Sequence, residues 1–234
     1  MIKNRIFQLV YLLVYLIMMT IGILCAFGLI PVISSGTYNP VFYTKYTNLS
    51  NYICVIVALI ELIWVIARLA KGEKRGDDFP FTRISFLTTI WILITCLIYN
   101  FMLGDITSAE YWSTANNPIL HLFGPVMFFV SYILFSKRRK LKWWDPVLVL
   151  SFPYAYLIFI FVRAYLLGGV GDDLYPYFFL DVNDLGISGV AMWIVILTVA
   201  FVAIGFVFAA INKGGKKTKR KGLHDSLTEG LTDN

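Results

Sequence analysis

Six stretches of the chain read as long apolar runs, at about 6–30, 47–70, 82–103, 119–135, 146–167 and 187–211. A helix of ~20 apolar residues crosses the ~30 Å hydrocarbon core of a bilayer, and each run is about long enough to do so. A helix also satisfies its own backbone hydrogen bonds, which lipid cannot do. The expected fold is therefore all-α: a polytopic membrane protein with six transmembrane helices, occupying residues 1–212. Together the runs use most of the 234 residues, which leaves no room for a separate soluble domain. A hydrophobic share of 59% against 15% charge lies far outside the range of soluble proteins. The first run is too long for a signal-peptide core and lacks a small-residue cleavage site, so it is read as a helix of the mature chain.

Charge sets the expected orientation. Lys3 and Arg5, the connection "RLAKGEKRGDDFPFTR", the connection "SKRRKLKWWD" and the stretch from Lys213 to Lys221 hold eighteen of the twenty basic residues. All fall on one side of a six-pass chain. The other side has Lys45 as its lone loop base, set against Asp105, Glu110, Asp172, Asp173, Asp181 and Asp184. The positive-inside rule then puts both termini in the cytoplasm. The expected location is a cell membrane, of the bacterial inner or plasma-membrane kind. The net charge of +6 is carried by these flanks, at headgroup depth, so it points to lipid and not to nucleic acid. Residues 213–234 read as a basic and then polar disordered tail.

Cys25, Cys54 and Cys96 lie inside apolar runs and there is no CxxC pair. With only two His in the chain, this argues against structural zinc and against a haem held by two His; no metal or cofactor is expected. "GGVGDD" at 168–173 has the spacing of neither an EF-hand nor a P-loop and reads as a connection.

Polar residues inside the membrane carry the information, because each is costly there. Thr47 and Asn51 open the second run. Asn100 lies near the outer end of the third, His121 near the start of the fourth and Arg163 near the end of the fifth. With ~1.5 Å of rise per residue, all five fall in one outer layer. Each has a plain structural reading: Thr47 as a helix N-cap, His121 as a packed core residue, Arg163 paired with a loop carboxylate. Glu61, 14 residues beyond Thr47 and ~21 Å deeper, is expected to pair with Arg68 or to snorkel. Pro125 follows His121 by four residues and deprives the His121 carbonyl of its helical partner.

The same layer has a chemical reading. A Thr hydroxyl becomes a nucleophile when a neutral His takes its proton. First-turn N–H groups around Asn48 to Ser50, together with Asn51 or Asn100, can face a developing oxyanion. Arg163 can hold a carboxylate or phosphate on an amphiphile.

These residues also carry a resemblance. "YTNLSN" at 46–51, "HLFGP" at 121–125, "FPYAYLIFIFVRAYLLG" and "LYPYFFLD" within 152–181 make the chain similar to the six-pass bacterial membrane proteins related to the androgen-induced and androgen-dependent TFPI-regulating proteins. The resemblance spans nearly all six helices. It implies an intramembrane threonine hydrolase, because eukaryotic members cleave fatty acid esters of hydroxy fatty acids. It assigns the nucleophile to Thr47 and the essential His to His121. It adds Arg163 and places Tyr175, Tyr177 and Asp181 at the outer mouth. Ser131 stands where relatives often carry Asp, and Phe178 where Pro is common. The expected activity is hydrolysis of lipid esters, with membrane lipid and a lipid-like substrate as partners. The alternative is a non-catalytic membrane protein, a small transporter, lipid-binding subunit or scaffold, using the same polar layer as a binding site.

Overall fold

The computed structural model describes residues 2–30, 42–76, 81–136, 141–169 and 174–213. The basic stretch 137–140, Asp172, Asp173 and the tail 214–234, assigned above to loops and a disordered end, lie outside the described residues. Among those described, regular structure is helical apart from one isolated bridge between Asn4 and Arg75. Six helices are long and apolar enough to cross a membrane: Arg5–Ala26, Tyr46–Ala70, Thr82–Leu103, Asn116–Phe135, Asp145–Leu166 and Val182–Asn212, called spans one to six here. The chain is an all-helical integral membrane protein.

Spans one to four close into a ring in which each packs on the next and the fourth returns to the first. Leu12, Tyr15, Met19, Cys54, Val57, Ala58, Ile92, Leu120 and Phe128 fill its centre. Span six lies against span three and against the first turn of span five. The rest of span five, Ser151–Leu166, makes few close backbone approaches to any other element. Rings bridge that gap: Phe152 meets Tyr46 and Trp91, and Tyr156 meets Tyr46 and Tyr177. Apolar residues also coat the outside. In span one Ile6, Val10, Val14 and Ile17 form an exposed stripe at helical spacing, the pattern of a surface solvated by lipid.

At the basic end, charges pair. Arg5 reaches Glu73 at 2.9 Å, Arg68 reaches the same carboxylate at 3.1 Å, and Arg83 reaches Asp145 at 2.8 Å. Arg68 also lies over the Trp64 ring. Glu61 therefore does not take Arg68; it accepts a hydrogen bond from the Ser85 hydroxyl at 2.7 Å, inside the bundle. The reason is reach: seven residues leave Arg68 on nearly the same face but ~10 Å further along the helix, where it meets Glu73.

Candidate functional site

Thr47 is not an N-cap. Lys45 holds that position, with extended backbone and no side-chain cap, so Thr47 lies inside the first turn of span two with its hydroxyl released from capping. The Lys45 carbonyl accepts the N–H groups of Asn48 and Leu49 at 3.1 and 3.2 Å. The Thr47 N–H donates to the Tyr177 hydroxyl at 3.2 Å. The first-turn donors of Asn48 and Leu49 expected from the sequence to be open are thus already taken, and the Thr47 N–H bonds to a side chain.

The opposite wall comes from spans three and four, and both change pitch here. Tyr99–Leu103 and Ile119–Phe123 are π-turns. In the second, the Gly124 N–H reaches back to Ile119, and Pro125 has no N–H for either Leu120 or His121. Two asparagines supply the donors: Asn51 Nδ2 reaches the Leu120 carbonyl at 3.0 Å, and Asn100 Nδ2 reaches the His121 carbonyl at 2.7 Å. Each amide spends its other N–H within its own helix, Asn51 on the Thr47 carbonyl and Asn100 on that of Cys96. The Asn100 oxygen accepts from the Tyr111 hydroxyl. Neither asparagine has an N–H left for an oxyanion; both brace the turn that carries His121. Ser50 is likewise committed, to the Thr47 carbonyl and to the Thr95 hydroxyl.

What remains is a polar cavity of about 440 Å³ lined by Lys45, Thr47, Asn48, Tyr99, Asn116, Asn117, His121 and Tyr177 among others. Thr47 and His121 are both buried, and both face it. The His121 ring stacks on Tyr99, centroids 3.4 Å apart and planes 11° from parallel, which fixes its tilt. Its Nδ1 has no hydrogen-bond partner among the described residues. The Tyr99 hydroxyl, in turn, donates to Asn117. Burial pushes the Tyr177 phenol up to about 12, so it keeps its proton and remains a donor.

Thr47 and Tyr177 also border a second cavity, almost wholly apolar and about 70 Å³ in volume. It runs between spans two, three, five and six, lined by Ile98, Pro153, Leu157, Leu180, Leu197 and Phe201 among others. Leu157, Ile194, Leu197 and Thr198 in its wall are half-buried, so it reaches the lipid-facing surface at the seam between spans five and six. Thr47 thus stands where a polar and an apolar chamber meet, while His121 borders the polar one.

Two expected site residues lie elsewhere. Arg163 lines a groove on the outer side of span five with Tyr43, Phe159 and Leu166, and donates to the Leu174 carbonyl at 3.0 Å. Asp181 accepts the N–H groups of Asn183 and Asp184, capping the turn before Gly186 breaks the helix at φ 64°. Conversely, Lys45, Tyr99 and Tyr111 were not singled out for the site. Lys45 had a signal: it is the one loop base on the acidic side, two residues before Thr47.

Compared with protein-family models, curated proteins and solved structures, the chain matches none.

Proposed function

We propose that the protein is a membrane-embedded hydrolase of lipid esters, with Thr47 as nucleophile and His121 as its base. The observation that carries this reading is the shared cavity: a released Thr hydroxyl, a buried His with an unpaired ring nitrogen, and a phenol against the Thr47 N–H. The family resemblance in "YTNLSN" and "HLFGP" supports the same pair.

In the proposed reaction the Thr47 oxygen attacks the ester carbonyl while His121 takes the hydroxyl proton. The carbonyl oxygen gains negative charge and is met by the Tyr177 O–H. Collapse breaks the bond to the alcohol, which leaves with the proton from His121. Water then attacks the acyl-threonine, with His121 as base again, and releases the acid and the free Thr47 hydroxyl. Tyr99 holds the imidazole by stacking, where other hydrolases use an acid.

A non-catalytic lipid-binding protein is the second reading, favoured by a His121 nitrogen that no described carboxylate orients. Labelling separates the two. A fluorophosphonate carrying an alkyl chain should modify the purified protein at Thr47, and Thr47→Ala and His121→Ala should each abolish the label. Equal labelling of wild type and Thr47→Ala overturns the nucleophile, and no labelling of folded wild type favours the binding protein.

A further inference from the structure

Two buried polar atoms at the site each lack what the other could supply. His121 Nδ1 and Asn116 Oδ1 are both shielded from solvent, and neither has a hydrogen-bond partner among the described residues. Of the buried atoms in that condition, these two alone belong to residues that line the polar cavity. Buried polar groups are nearly always paired, so each orphan is exceptional. An amide oxygen can only accept, whereas an imidazole nitrogen donates when it carries the ring proton. The two are therefore complementary in one tautomer of His121, the one with its proton on Nδ1.

Both residues stand on span four. Asn116 opens it, and His121 follows five residues later inside the π-turn. Five residues rise ~7.5 Å in an ordinary helix, and helical side chains lean towards the N-terminus, which carries the imidazole in the direction of Asn116. Tyr99 restrains that ring by stacking on it. Asn116 is half-buried and its side chain makes no hydrogen bond among the described residues, so the amide is the member that can turn. Other acceptors at this end are already taken. The Asn117 oxygen holds the Tyr99 hydroxyl, the Asn100 oxygen holds that of Tyr111, and no carboxylate is among the described residues of the cavity.

We infer that Asn116 is the positioning residue of His121: its Oδ1 accepts the Nδ1 proton once the amide turns, and so fixes the tautomer. The inference rests on the proposed hydrolase reading and completes it. With the proton held on Nδ1, the lone pair lies on Nε2, the nitrogen left to take the Thr47 proton. The imidazolium so formed keeps its Nδ1–H on the amide oxygen. Asn116 is neutral and takes no proton at any step, so the proton from Thr47 passes from Nε2 to the departing alcohol. Without Asn116 the ring can carry its proton on Nε2, where it blocks the transfer.

The tautomer can be read without any turnover. His224 is the only other histidine, so full-length His224→Gln protein made with nitrogen-15 histidine reports on His121 alone. In detergent at about pH 8, where an ordinary imidazole is neutral, nitrogen NMR should find the proton on Nδ1. Asn116→Ala should move it to Nε2 or divide it between the two nitrogens. Asn116→Asp keeps an acceptor there and should hold it on Nδ1. The limiting rate of fluorophosphonate labelling at Thr47 should fall about 10²-fold in Asn116→Ala, with an unchanged saturation constant, and largely recover in Asn116→Asp. A proton on Nε2 with Asn116 in place overturns the inference, and that measurement needs no Asn116 variant to fold. An Nδ1 proton that survives Asn116→Ala overturns it too, as does labelling that runs as fast in Asn116→Ala as with Asn116 present. The expected tautomers in a protein that the reagent never labels sink the hydrolase reading and leave the Asn116–His121 pair standing. Melting temperatures of the variants, compared with the parent, exclude loss of fold as the cause.

Discussion

Tyr177 does two things with one hydroxyl. It accepts the Thr47 N–H, and it also hydrogen-bonds the Thr47 side chain at the wall of the cavity. Tyr177→Phe keeps the ring packing on Phe179 and removes the hydroxyl. Turnover should fall by about 10² with little change in KM, the usual cost of one oxyanion donor. Because burial raises the phenol to about 12, the neutral donor form is favoured. The sign follows: kcat should show no alkaline loss from this group below about pH 10. A fall near pH 10 that disappears in Tyr177→Phe would show the phenol to be unshifted. Reading depth along the sequence brought Thr47, His121, Asn51 and Asn100 to one level, and the structure places all four at one end of the bundle. Depth carries no information about rotation, which is why Arg163 misled. Tyr156, Ile160 and Ala164 mark the buried face of span five, and Arg163 sits ~60° from the centre of that face, at the edge of the groove it lines with Phe159 and Leu166.

At the scale of the element, the π-turn of span four and Pro125 act as a unit. The turn aims His121 into the cavity, the proline prevents an ordinary α register from reforming, and Asn51 and Asn100 take the carbonyls left over. Asn100→Ala removes the donor to His121 and the acceptor of Tyr111, at a cost of about 1–3 kcal/mol in stability. Pro125→Ala restores an N–H that can serve His121. Alone it should hold or raise the melting temperature while lowering turnover, since the turn loses its reason to stay wide. In the double variant the new N–H should recover part of the Asn100→Ala loss. Strict additivity of the two changes would show that they do not share that carbonyl. Pro125 was legible in the sequence as the cause of a bare carbonyl. The residues that answer it were not, because Asn51 and Asn100 come from other helices, and only the packed bundle shows which carbonyl each can reach.

At the scale of the molecule, six spans could be read from hydropathy alone, and their limits agree closely with the helices, with the first ending at Ala26 where the run continued to about residue 30. The reason is solvent: lipid demands continuous apolar length, so composition maps onto helix directly. From the asymmetry of Lys and Arg we propose that the site end is the outer one. With Cys25, Cys54 and Cys96 replaced, Thr107→Cys should react with an impermeant maleimide on intact cells, and Lys71→Cys only after lysis. The reverse pattern would invert the orientation.

The seam between spans five and six changes how rate should be measured. A chamber open towards the bilayer draws its ligand from a two-dimensional solution, so the relevant concentration is mole fraction in the leaflet, not moles per litre of buffer. Adding inert phospholipid at constant total substrate should then slow turnover, while diluting the whole suspension should not. Apparent KM values from different detergents would disagree until divided by the micelle composition. Bridging spans five and six across the Tyr154–Thr198 hydrogen bond should stop diffusion along the membrane plane while leaving the chemistry at Thr47 intact.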